Sequence, residues 1–137
     1  EQLTGAKADI SWGEISAERY PNRPMCQAFK DNMEILGIEM KWPDPKAQYG
    51  SSDIGNVSIK IPAIHDYLSI TDDKTIQAHT KEYADAAKSE EAQEICLKGA
   101  KGLAMTGYDI LSSDEFQAEI RRFHEQQIPD FYKEKKS

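Results

Sequence analysis

The amino-acid sequence predicts an α/β fold with too few strands to form a sheet of its own. Alternation of polar and apolar residues predicts three short strands, over 7–12, 57–61 and 64–70. Apolar residues at helical spacing predict helices over 23–36 and through most of the chain after residue 80. Three strands are few for a sheet that several helices cover. We therefore expect the 137-residue chain to be part of something larger.

The first half of the chain is predicted to contain one strand, one helix and one long loop. Strict alternation over 7–12 is typical of a half-buried strand. Asn22 is a suitable cap for the helix at 23–36, and Gly37 is a typical C-terminal stop. The segment 42–56 is predicted to be a loop, because it combines prolines with small and polar residues.

The second half is predicted to be two strands followed by helices. Pro62 separates the strands at 57–61 and 64–70. Thr80 is placed to cap a short helix, and Ser89 to begin a longer one that ends near residue 111. The inner face of that longer helix is predicted to be Cys96, Ala100, Leu103, Gly107 and Ile110, and its glycines predict close approach of another element. Ser112 and Glu115 have the spacing of a capping box for a final helix.

Charge and composition argue against several classes of partner. The chain carries 17 Lys and Arg against 24 Asp and Glu, for a net charge of -7 and no basic stripe. Nucleic acid and anionic membranes are therefore poor candidates as partners. No apolar run approaches the ~18 residues of a membrane span, and no signal peptide is visible. Two isolated cysteines, Cys26 and Cys96, indicate a reducing, cytoplasmic location.

Three histidines are the residues most open to a chemical role. We expect His124 to be a surface residue near a helix C-terminus and His65 to be a half-buried structural residue. His79 immediately precedes a helix cap, where clefts form in α/β folds. From this context alone, a functional residue and a neighbour of the cap are equally good interpretations of His79.

Two sequence blocks resemble a family of zinc metallopeptidases. The first block reads Gly50-Ser51-Ser52-Asp53-Ile54-Gly55-Asn56-Val57-Ser58 and is followed by Ile61-Pro62-Ala63-Ile64-His65. The second block reads Ala78-His79-Thr80-Lys81-Glu82-Tyr83-Ala84-Asp85-Ala86-Ala87. Both are similar to motifs of family M-20, which includes aminoacylases, aminobenzoyl-glutamate hydrolases and β-alanyl-lysine-type dipeptidases. The glycine-bearing helix after Ser89 continues the resemblance, which covers most of the chain.

The resemblance implies a fold and a division of the chain. It implies the C-terminal part of an α/β sandwich catalytic domain, which in this family is interrupted by a smaller lid domain that often dimerises. Residues 1–17 would hold the last, edge strand of the lid, and residues 18–137 the C-terminal segment of the catalytic domain. A homodimer and the missing N-terminal part of the same protein are the implied macromolecular partners.

The resemblance also implies a chemistry and a metal ligand. His79 corresponds to a zinc ligand of a two-metal site, in which manganese or cobalt could replace zinc. A metal-activated water would hydrolyse the amide bond of a dipeptide or an N-acyl amino acid. Asp53 and Asn56 are candidates for binding substrate, although such residues also serve simply to make turns. No residue of this chain matches the family's general base, so we expect the isolated chain to be inactive.

A second hypothesis needs no catalysis. The chain could be a folding or association module derived from this family, pairing with a second copy through the predicted edge strand at 7–12.

Overall fold

The computed structural model describes residues 5, 7, 9–13, 16–44 and 52–133. Within these ranges the fold is helical, with five α-helices and no strand: α1 (Arg23–Ile35), α2 (Ile54–Ser58), α3 (Lys81–Ala86), α4 (Glu90–Ser112) and α5 (Asp114–Gln127). A short 3-10 helix, Asp130–Tyr132, follows α5. None of the helices in the described ranges is both long and apolar enough to span a bilayer.

Most helix starts agree with the sequence prediction, because capping depends on local residues. The side chains of Asn22, Thr80 and Ser89 accept hydrogen bonds from backbone amides of the first turns of α1, α3 and α4. The predicted start of the final helix is wrong by one residue. Ser113 Oγ, and not Ser112, accepts the hydrogen bond from the Phe116 amide, at 3.1 Å, because Ser112 is still the last residue of α4.

The strand predicted over 57–61 is wrong. Val57 and Ser58 belong to α2, and the amides of Lys60 and Ile61 donate to the Val57 carbonyl at 2.9 and 3.0 Å. These local bonds use the amides that a strand would give to a neighbouring strand. The alternation of apolar and polar residues at 57–61 is therefore not a sign of a strand in this chain.

The other two predicted strands are not formed either. The segment 64–70 makes no ladder; beside it, a single parallel bridge joins Pro21 to Ala63, with the Asn22 amide donating to the Ala63 carbonyl at 2.9 Å. In the predicted strand at 7–12, Lys7 and residues 9–12 have no strand structure, and Ala8 lies outside the described residues. The expected edge strand is therefore absent from the part of 7–12 that the structure describes.

The core lies where α1 packs against α4 and α5. Phe29 and Met33 of α1 are buried, together with Ile120 of α5. A Cβ atom added to Gly102 of α4 would lie 2.4 Å from Met33 Sδ, and one added to Gly99 would lie 2.7 Å from a methyl carbon of Leu68. These two glycines confirm the predicted close approach, because a larger residue at either position would force the side chain of Met33 or Leu68 to move.

The inner face of α4 differs from the predicted one. The buried residues of α4 are Ala92, Gly99, Gly102 and Thr106. Cys96, Ala100 and Leu103 of the predicted face are exposed, and a Cβ added to Gly107 would meet nothing within 4 Å. The reason is that α1 packs against the side of α4 that allows the closest approach, and that side carries small residues instead of leucines.

Candidate functional site

The His-Thr block forms the turn that leads into α3. Thr80 Oγ1 accepts a hydrogen bond from the Tyr83 amide at 3.1 Å and donates one to the Gln77 carbonyl at 2.7 Å. Glu82 lies in the first turn of α3, where a negative charge is favoured by the helix dipole. This double bonding by Thr80 fixes the backbone immediately after His79.

His79 itself has two unusual features for a residue of its type. Its φ is 66°, so it lies in the left-handed region, which non-glycine residues adopt infrequently. Its side chain is exposed, and the imidazole makes no hydrogen bond to any residue that the structure describes. An exposed imidazole without a partner is chemically suited to be one ligand of a metal ion.

The described residues do not supply a complete metal site around His79. Within them, no three His, Cys, Asp or Glu side chains lie close enough together to hold a metal ion. Three or four protein ligands are usual for zinc. Among the described residues, His79 could therefore serve a metal only as a single ligand.

The Gly-Ser-Ser-Asp block is built around α2. Ser52 Oγ donates to Asp53 Oδ1 at 3.3 Å and accepts from the Ile54 amide at the same distance. The Asp53 side chain is exposed, and the backbone carbonyl oxygen of Asp53 accepts hydrogen bonds from the Asn56 and Val57 amides of α2. Asp53 thus takes part in a turn, as its residue type allows, while its carboxylate stays accessible. Asp53 and His79 make no hydrogen bond to each other among the described residues.

Asn56 holds α2 against an earlier segment. Its Oδ1 accepts a hydrogen bond from the Ala17 amide at 2.7 Å. Next to it, a Cβ added to Gly55 would lie only 2.0 Å from the Ala17 carbonyl oxygen, so the backbones are in direct contact. Gly55 therefore permits a close approach that Asn56 holds in place.

The other two histidines depart from the sequence expectations. His124, expected at the surface, is half-buried, and its Nε2 lies 2.9 Å from the Ser58 carbonyl oxygen. This contact joins α5 to α2. His65, expected to be half-buried, is exposed, and its ring lies 4.8 Å from that of Tyr67.

Sequence reasoning missed a cavity of about 650 Å³. Its wall includes four cationic residues, Arg19, Arg23, Lys30 and Lys41, and two aspartates, Asp44 and Asp66. The Arg23 guanidinium lies 5.0 Å from the centre of the Trp42 ring, and Arg19 donates to the Tyr67 hydroxyl at 3.0 Å. The cluster gives no sequence signal because its members come from separate segments; Arg19 and Tyr67 are 48 residues apart.

The groups at the wall of this cavity are unsuited to nucleophilic chemistry. Burial, and to a lesser extent the Asp66 carboxylate, raise the pKa of the Cys26 thiol to about 12, although the nearby Arg23 acts in the opposite direction. The thiol is therefore protonated at neutral pH. Burial also raises the pKa of Asp66, whose Oδ2 is buried without a hydrogen-bond partner among the described residues. Neither Cys26 nor Asp66 is therefore poised to act as a nucleophile at this wall.

Comparison with known proteins identifies two curated relatives. The chain is 37% identical over 125 residues to the Xaa-Arg dipeptidase of Mus musculus, covering 87% of this chain and 28% of that protein. It is 40% identical over 103 residues to the Xaa-Arg dipeptidase of Homo sapiens, covering 74% of this chain and 23% of that protein. No family model and no solved structure matches the chain. The chain thus spans about a quarter of the length of these relatives.

Proposed function

We propose that this chain, a homologue of the Xaa-Arg dipeptidases and so of the M-20 peptidases, is the C-terminal part of a metal-dependent amidohydrolase. The observation that carries the proposal is the identity of 37% over most of the chain to a dipeptidase. The proposed substrates are dipeptides or N-acyl amino acids. The relatives' name favours dipeptides and, among these, dipeptides ending in arginine.

In this proposal His79 is a metal ligand. Its exposed imidazole without a described partner supports that role, and its place at a turn fixed by Thr80 supports a defined orientation. A bound zinc, manganese or cobalt ion would supply Lewis acidity, which makes water acidic and polarises an amide carbonyl. The other ligands and the general base would come from the N-terminal part of the polypeptide, so the isolated chain would be inactive.

Asp53 and Asn56 are proposed to contribute to substrate binding from the α2 loop. The accessible carboxylate of Asp53 supports such a role. For Asn56 the support is weaker, because its Oδ1 already accepts the Ala17 amide. The α/β sandwich, with the lid ending at residue 17 and the catalytic segment at 18–137, belongs to the same proposal.

The proposal includes a cytoplasmic homodimer. The free thiols of Cys26 and Cys96 support a reducing compartment. Ile10 and Trp12 are 70% and 88% exposed, which supports a role for the first segment in contacts with another chain.

The experiment is His79→Ala in the complete protein, with metal content and dipeptide hydrolysis measured together. We expect loss of bound metal and a loss of hydrolysis of at least about a hundredfold. His124→Gln is the matched control, because His124 contacts the Ser58 carbonyl, and it should keep its metal. Undiminished metal content and turnover in His79→Ala would remove His79 from the site.

A further inference from the structure

Helix α4 carries a second apolar face on the side opposite its buried one. Its apolar residues recur at intervals of three and four: Leu97, Ala100, Ala104, Tyr108 and Leu111. All five are exposed, and the three large side chains, Leu97, Tyr108 and Leu111, are 56%, 72% and 82% exposed. We call these five residues the outer face of α4. It extends along about 21 Å of helix, at 1.5 Å per residue.

A helix that is apolar on both sides is typical of the interior of a larger structure. The inner side of α4 is already used, because Gly102 contacts Met33 and Gly99 contacts Leu68. Gly107 lies next to the outer face, and a Cβ added there would meet nothing within 4 Å. The contacts of α1, α5 and Leu68 therefore account for one side of α4 only.

Large apolar side chains are also exposed on elements other than α4, including Ile35 on α1 and Ile61 after α2. Apolar residues exposed on several elements fit a larger partner that contacts more than one of them.

We propose that the outer face of α4 is the docking surface for the rest of the same polypeptide. The relatives are more than three times as long as this chain, so they have ample sequence to supply an apolar element for this face. This inference shares with the proposed function the premise that the chain is part of a longer polypeptide, but it requires neither metal nor catalysis. The occupant is an apolar helix or sheet face that packs across Ala100 and Ala104, with Leu97 and Leu111 at the two ends.

Ala104→Glu in the complete protein tests the proposal by thermal unfolding. Glutamate is a good helix former, so this change is nearly neutral on an exposed helix but severe in a buried contact. We expect the melting temperature to fall by more than about 5 °C. Ala118→Glu is the matched control, because Ala118 is exposed on α5 and a glutamate there can pair with Arg122 one turn later; it should shift melting by less than about 1 °C. Equal, small shifts for both variants would overturn the proposal.

Thiol labelling of the unmodified protein gives a second test that involves no substitution. Cys96 is exposed in this chain and precedes Ala100 by one helical turn. If the outer face is covered, a maleimide should modify Cys96 in the native complete protein at least about a hundredfold more slowly than in urea, as peptide mass spectrometry would show. Labelling at the denatured rate would overturn the proposal. So would an Ala104→Glu protein that melts normally but changes from dimer to monomer in sedimentation, since a second copy would then be the occupant.

Discussion

Asp66 shows at the scale of one residue how the cavity affects stability. Its carboxylate is held where burial raises the pKa, and only the nearby His65 acts in the opposite direction. Because the folded state holds the proton more tightly than the unfolded state, Asp66 lowers stability as the pH rises above the unfolded value of about 3.9. The burial of the Asp66 carboxylate therefore acts against the stability of this chain at neutral pH.

Asp66→Asn should increase the free energy of unfolding at pH 7 and leave it unchanged near pH 3, where the carboxyl is protonated in both states. Urea denaturation at several pH values measures this. Asp73→Asn is the control, for which we expect the opposite change, a lower free energy of unfolding at pH 7. Hydrogen bonds from Thr75 lower the pKa of Asp73, so its contribution is present at pH 7 and is lost as the pH falls. A lower free energy of unfolding at pH 7 in Asp66→Asn would contradict the conclusion that the buried Asp66 carboxylate destabilises the fold.

The residue scale also separates what the sequence can predict from what it cannot. Thr80 as a cap follows from residue type and position alone. The half-burial of His124 does not, because it depends on the Ser58 carbonyl, 66 positions earlier in the chain. The exposure of His79 could not be predicted either, since a residue beside a cap is compatible with either burial or exposure.

At the scale of elements, Asn22 joins three parts of the fold. It is 1% exposed, and its Oδ1 caps α1 through the Met25 amide at 3.3 Å. Its Nδ2 donates to the Ile120 carbonyl in α5 at 3.0 Å, and its amide donates to Ala63 at 2.9 Å. One side chain therefore connects the start of α1 to α5.

Asn22→Ala should lower the free energy of unfolding by about 2–3 kcal/mol, because it removes a helix cap and a buried hydrogen bond to the Ile120 carbonyl. Thr80→Ala, at an exposed cap, should cost about 1 kcal/mol. Chemical denaturation of both variants measures the difference. If the two substitutions cost the same, the buried bond from Asn22 to α5 contributes nothing to stability.

Elements differ in how well the sequence predicts them, for physical reasons. The helices at 23–35 and 90–112 follow from local caps and apolar spacing. The strands at 57–61 and 64–70 do not form, because a strand needs a partner that alternation alone cannot supply. The inner face of α4 was predicted on the leucine side. It lies instead on the side of Gly99 and Gly102, where neighbours approach most closely.

At the scale of the whole molecule, the proposals give one explanation for the lack of strands in the described residues and for the apolar outer face of α4. This chain spans about a quarter of its relatives' length, and we propose that the elements that pair with residues 64–70 and cover Leu97 and Leu111 come from the rest of the polypeptide. The family resemblance could be predicted from two short sequence blocks. The lack of strands in the described part could not, because whether an alternating segment becomes a strand depends on a pairing partner and not on its own residues.

The most direct test of the central claim is an anomalous-difference map of the complete protein, recorded at the absorption edge of zinc. We predict a peak about 2.0–2.1 Å from an imidazole nitrogen of His79, with the other ligands supplied from outside this chain. A fully occupied metal site that does not include His79, or a protein that binds no divalent metal while hydrolysing dipeptides, would contradict the account.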